Sequence, residues 1–163
     1  MKYWPPNEGG KGQYGEYKVT LQMEKISKNF VVRKLHITPN DGREGRVVTQ
    51  FQYTAWPESE CPPDTGSVIE MIGELTRAQM NSGNKVITVV CNNGAGRSGA
   101  FLCLHSQLER LKTEGEIDIF KYLKSARTKL IGLLSDPVQY VFVHEVILSY
   151  IDSFDLYANF KRV

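Results

Sequence analysis

Three early stretches of the chain alternate apolar and polar residues. Residues 17–26 (YKVTLQMEKI), 29–38 (NFVVRKLHIT) and 46–56 (RVVTQFQYTAW) each repeat well enough at period two for a strand with one covered face. The second and third are separated by PNDGREG, a turn containing Asp41-Gly42. Their short spacing predicts an antiparallel meander. The first fifteen residues, MKYWPPNEGGKGQYG, are rich in Gly and Pro and read as loop.

After residue 64 the period changes. Val68, Ile69, Ile72 and Leu75 make an apolar stripe at helical spacing, Asp64 or Thr65 can cap its start, and Gly83 stops it. KVITVV, residues 85–90, is a short β-branched run of the type expected for a fully buried strand. Three more helices follow: 98–115, with Ser98 near its start and Gly115 past its end, then 117–130 and 138–157. Strands come first, then helices around one buried strand. The pattern predicts an α+β fold with a mixed sheet.

Composition narrows the class. The 163 residues suit one ordinary domain, and 41% hydrophobic with 23% charged residues is a globular balance. The net charge of +2 weakly favours an anionic partner and does not point to nucleic acid. No apolar run reaches the roughly 18 residues of a membrane span, and the first residues lack the apolar region of a signal peptide. Cys61, Cys91 and Cys103 are too few and too widely spaced for a disulfide framework. With only His36, His105 and His144 beside them, no zinc-ligand pattern emerges. A reducing intracellular setting fits best.

The chemistry concentrates in VVCNNGAGRSG, residues 89–99. Gly94, Gly96 and Gly99 spell Gly-x-Gly-x-x-Gly, the letters of a dinucleotide-binding turn. That reading needs a second parallel strand with an acidic residue about 30 residues on. Glu114 and Glu116 lie at that distance but between helices, so it fails on context. A Walker-type site fails for want of Gly-Lys-Ser/Thr. The other reading is a phosphate cradle. The backbone N–H groups of Asn92, Asn93, Gly94, Ala95, Gly96 and Arg97 can turn inward around an oxyanion, with glycines allowing the curvature. The following helix adds its positive end. Arg97 can grip two oxygens with its planar fork, and the same positive surroundings lower the pKa of Cys91. A lone cysteine is more often an inert buried thiol. Arg97 six positions on, with glycines between, favours a nucleophile set beneath a phosphorus atom.

VVCNNGAGRSG resembles the signature loop of the protein tyrosine phosphatases, which usually reads His-Cys-Ser-x-Gly-x-Gly-Arg-Ser/Thr-Gly. KYWP (2–5), QFQYTAWPE (50–58) and QYVFVHEVI (139–147) resemble other segments of that family, in the family's order. The resemblance implies an α+β fold with a twisted mixed sheet flanked by helices, covering residues 1–163 as a single but partial phosphatase domain. It implies Cys91 as nucleophile, Arg97 as phosphate clamp, Ser98 as the hydroxyl that steadies the sulfur, and Glu58 as general acid after Trp56-Pro57. It implies no cofactor and no metal.

Four positions depart from the family pattern: Glu58 where Asp is usual, Val90 for His, Asn92 for Ser, and Ser135 where a water-positioning Gln is expected. Glu is one methylene longer than Asp, and a displacement on the order of 1 Å can cost about 100-fold. The departures resemble those of the membrane-distal second phosphatase domain of receptor-type enzymes. They imply phosphotyrosine hydrolysis through a phosphocysteine with low intrinsic activity. The alternative is an inactive pseudophosphatase, a regulatory phosphate-binding module. The implied partners are phosphotyrosine-containing proteins and an adjacent phosphatase domain, with no nucleic acid and no membrane contact by this segment. The implied location is cytoplasmic, in the intracellular part of a single-pass receptor.

Overall fold

Four strands pair in chain order: β1 (Lys11–Tyr14), β2 (Tyr17–Ile26), β3 (Phe30–Pro39) and β4 (Arg46–Tyr53). All three pairings are antiparallel, as the meander pattern predicts. They are seen in a computed structural model that describes residues 2–57 and 60–160, with side chains to residue 153. Packing divides the chain into two units, Met1–Ala55 and Trp56–Val163.

In the first unit β1 is an addition to the expected meander. Its KGQY sequence carries no apolar alternation, so the sequence pattern hides it. It forms because Gly15, at φ +60°, lets the chain double back between Tyr14 and its partner Tyr17. Val19, Leu21 and Leu35 form the buried centre, with Trp4, Tyr14 and Ile37 packed around them. Arg33 is buried on β3. It donates to the Glu24 carboxylate and to the side-chain oxygens of Gln50 (3.0 Å) and Gln52 (2.7 Å), and lies 4.6 Å from the Trp4 ring centre. The KYWP segment thus closes over a satisfied buried charge.

The second unit is helical: α1 (Thr65–Asn81), α2 (Gly96–Glu114), α3 (Ile119–Ala126) and α4 (Pro137–Phe160). Its caps follow the expected chemistry. Asp64 accepts from the Ser67 N–H, Asp118 from Lys121, and Asp136 from Val138, one residue after Pro137 opens α4. Gly115 ends α2 at φ +72°. Helix α4 packs against both α1 and α2, and α3 packs on α2. Between them are buried Val68, Ile72, Leu104, Leu108, Leu123, Phe142, Val143 and Val146. Cys103, fully buried on α2, is the core residue its place in the helix predicts. No helix among the described residues is long and apolar enough to cross a membrane.

Two expectations need correction. The α+β class holds, but the described sheet is wholly antiparallel, and Lys85–Val90 is not a strand in it. A β-branched run becomes a strand only where another strand offers a ladder. None of the described strands pairs with this one, and Val86 is 94% and Val90 77% exposed. Helix α3 also ends four residues before the expected position 130. Arg127 turns its guanidinium forward instead, donating from Nε to the Leu133 carbonyl (2.9 Å) and from Nη2 to that of Leu134 (2.7 Å). These bonds hold the turn through Gly132 and Leu134, both at positive φ.

Candidate active site

The loop between the 85–90 run and α2 is built by backbone conformation and one side chain. Gly94 takes φ +68°, which turns the chain sharply before the helix. Asn93 then reaches forward. Its Oδ1 accepts from the N–H of Ala95 at 3.1 Å and of Gly96 at 3.0 Å, two of the donors that a helix start leaves unpaired. The Cys91 thiol donates to the same oxygen at 3.4 Å. The half-buried sulfur therefore faces the head of α2.

Two neighbouring elements brace the loop. The Leu134 N–H donates to the Ala95 carbonyl (3.1 Å), so the turn that Arg127 holds is tied to the loop. Gln139, near the start of α4, packs so closely on Gly96 that a Cβ there would lie 2.9 Å from its Oε1. Arg97 points its Nη2 to the Pro57 carbonyl at 2.9 Å, which joins the loop to the Trp56-Pro57 segment. Trp56 donates from Nε1 to the Glu60 carbonyl (3.1 Å) and meets the Phe142 ring edge-on at 5.5 Å.

Residues 1–149 match the family model described as protein-tyrosine phosphatase. The chain belongs to that family. It is 39% identical over 160 residues to the receptor-type tyrosine-protein phosphatase alpha of Homo sapiens, covering 98% of this chain and 20% of that protein. It is 35% identical over 165 residues to the human epsilon protein (98% and 23%), and 33% over 159 residues to the S protein of Gallus gallus (97% and 10%). The chain thus spans about a fifth of the alpha protein's length.

Of the residues the sequence singles out, Cys91, Asn93, Gly94, Ala95, Gly96 and Ser98 come together around one point. Arg97 leaves the head of α2 toward Pro57. Asn92 is exposed, and Glu58 lies outside the described residues. Ser135 is exposed at the start of the α4 cap, in a groove of about 590 Å³ lined also by Phe120, Leu123, Arg127 and Tyr140. That groove does not contain Cys91. Sequence reasoning missed the contributions of Gln139 and Leu134. Gln139 lies in the QYVFVHEVI segment, so the family pattern carried its signal; Leu134 acts through its backbone and left none.

Burial pushes the Cys91 thiol up. Hydrogen bonding to the sulfur outweighs this and leaves its pKa below the ordinary thiol value: first from the Ser98 hydroxyl, then from the backbone N–H groups of Ser98, Asn93 and Gly94. The buried Ser98 hydroxyl has no hydrogen-bond partner, so its pull on Cys91 comes from its nearness to the sulfur. A hydroxyl so placed can complete its bond when the sulfur becomes an anion. The other thiols move the opposite way. Burial, then Asp136 and Glu145, raise Cys61, and burial raises Cys103 to about 12. The thiolate is the reactive form, so a lowered pKa leaves more of it at a given pH. Iodoacetamide at pH 7–8 is therefore expected to modify Cys91 first. Its rate should fall as pH drops through a midpoint below those of Cys61 and Cys103, as peptide mapping of the labelled protein would show.

Gly99, one turn into α2, lies close against neighbouring backbone. A Cβ there would lie 2.8 Å from the Leu134 backbone nitrogen and 3.1 Å from the Leu133 side chain. An exposed helical Gly→Ala change gains about 1 kcal/mol. Here the obstacle is backbone that Arg127 holds in place. Gly99→Ala is expected to lose about 1–3 kcal/mol, read as a lower urea midpoint.

Proposed function

We propose that the chain is a protein tyrosine phosphatase domain that hydrolyses phosphotyrosine in proteins through a phosphocysteine, with low intrinsic activity. The observation that carries this reading is the convergence of the Cys91 sulfur and the Ala95 and Gly96 N–H groups on one point at the head of α2. The Cys91 thiolate attacks phosphorus, and the bond from phosphorus to the tyrosine oxygen breaks. Glu58 gives that oxygen its proton, so a phenol leaves and not a phenolate. Arg97 and the loop amides hold the equatorial oxygens. Water then attacks the phosphocysteine, inorganic phosphate leaves, and the Ser98 hydroxyl donates to the departing sulfur. Arg97 must turn from Pro57 toward the phosphate, a movement that couples substrate binding to the Trp56-Pro57 segment. By likeness to the receptor-type relatives, the segment belongs to the cytoplasmic part of a receptor, acts on phosphotyrosine-containing proteins and adjoins another phosphatase domain.

A second reading, a regulatory pseudophosphatase that keeps the cradle without turnover, draws on Val90 and Ser135. Val90 supplies no imidazole beside Cys91 and is 77% exposed, and Ser135 is too short to position water as Gln would. Hydrolysis of p-nitrophenyl phosphate by the chain and by Glu58→Asp separates the two. Slow release by the chain, raised by Glu58→Asp, supports the enzyme. Release by both at the rate of buffer alone overturns it in favour of the binding module.

A further inference from the structure

The Asn93 side chain has no role in the chemistry just described, yet it dominates the loop. One oxygen, Oδ1, accepts from Ala95 N–H at 3.1 Å, Gly96 N–H at 3.0 Å and the Cys91 thiol at 3.4 Å. A carbonyl oxygen has two lone pairs, so three donors saturate it. The two N–H groups are also the donors an oxyanion would use at this place, helix-start amides with no intrahelical partner, set above the sulfur.

We propose that the Asn93 carboxamide oxygen occupies the oxyanion seat of the loop and must leave before phosphate can enter, so that Asn93 sets the affinity of the site. This rests on the reading of residues 91–97 as a phosphate cradle. The exchange is feasible in the fold. Asn93 is solvent-exposed, and Gly94 follows it with a backbone that carries no side chain to obstruct a swing outward. Once it leaves, phosphate recovers both N–H bonds as charge-assisted ones, which are stronger than those to a neutral amide. The cysteine is also affected. While Oδ1 is in place it accepts the thiol proton and so favours the neutral form; once it leaves, the sulfur can only accept.

The same contacts also cap α2, and a purely structural role must be distinguished from occupancy of the seat. Two substitutions do so because they move stability and affinity in opposite directions. Asn93→Ala removes the cap and empties the seat. It should lower the urea midpoint, yet bind inorganic phosphate about five- to tenfold more tightly in calorimetry, the equivalent of about one competing hydrogen-bonded contact removed. Asn93→Asp keeps an accepting oxygen at a helix start, where a carboxylate is favoured. It should hold or raise the midpoint while weakening phosphate binding at least tenfold, because an anion then fills the seat. Arg97→Ala is measured alongside. Phosphate binding by the chain that Arg97→Ala abolishes, with equal or weaker binding by Asn93→Ala, overturns the role of Asn93 and leaves the cradle standing. Failure of the chain, Asn93→Ala and Arg97→Ala alike to bind phosphate overturns the cradle and the Asn93 proposal with it. Binding by Asn93→Ala alone supports the occupied seat in its strongest form.

Discussion

Cys91→Ser is expected to stop the release of phosphate from aryl phosphates and phosphotyrosine peptides, a loss on the order of 10³-fold or more. The reason is the ionisation state of the nucleophile. Donors from Ser98, Asn93 and Gly94 hold the sulfur's pKa below the ordinary thiol value despite its burial. A serine hydroxyl at the same place stays neutral at any accessible pH and is a poor nucleophile. Binding should survive, because the Ala95 and Gly96 amides, Arg97 and the head of α2 are unchanged. The affinity of Cys91→Ser for a phosphotyrosine peptide, measured by fluorescence anisotropy, is expected within about tenfold of that of the unaltered chain. Equal turnover by both proteins would remove Cys91 from the chemistry.

The largest effect on stability is expected at Phe142. Its ring is 2% exposed on α4 and meets Trp56 edge-on, with planes 67° apart. Truncating a buried Phe to Ala costs about 3–5 kcal/mol through lost transfer energy and the cavity left behind. Phe142→Ala should lower the urea midpoint by the corresponding amount with an unchanged slope. Phe120→Ala is the control. That ring is 71% exposed on α3, and its removal should cost less than about 0.5 kcal/mol. The Phe142 effect should also reach the site. Trp56 loses its edge contact, and the next residue, Pro57, carries the carbonyl that Arg97 binds. Turnover by Phe142→Ala should therefore fall even at temperatures where the protein remains folded.

The comparison of Tyr17–Ile26 with Lys85–Val90 shows what the sequence could reveal. Both look like strands, and only the first is one here. Alternation and β-branching report the preference of a segment, while a ladder also requires a partner, which local pattern does not encode. The helix caps were legible because capping is local: Asp64, Asp118 and Asp136 each bond within three residues. The loop stands out in the sequence because cysteine, glycines and arginine at that spacing have few uses other than the proposed cradle. The sequence pattern offers Asn93 there only as one of several backbone donors. Its side chain proved to be the acceptor, and the letters alone do not say which way a carboxamide turns. Nor do the letters say what Arg127 binds. Its partners are the carbonyls of Leu133 and Leu134, placed by a turn whose positive φ at Leu134 no residue preference announces.

The central claim, that an oxyanion sits directly over the Cys91 sulfur, is tested most directly by protection. Inorganic phosphate should slow the iodoacetamide modification of Cys91 in a saturable way, leave that of Cys61 unchanged, and lose its effect in Arg97→Ala. Modification of Cys91 at one rate with and without saturating phosphate, in both proteins, would contradict it.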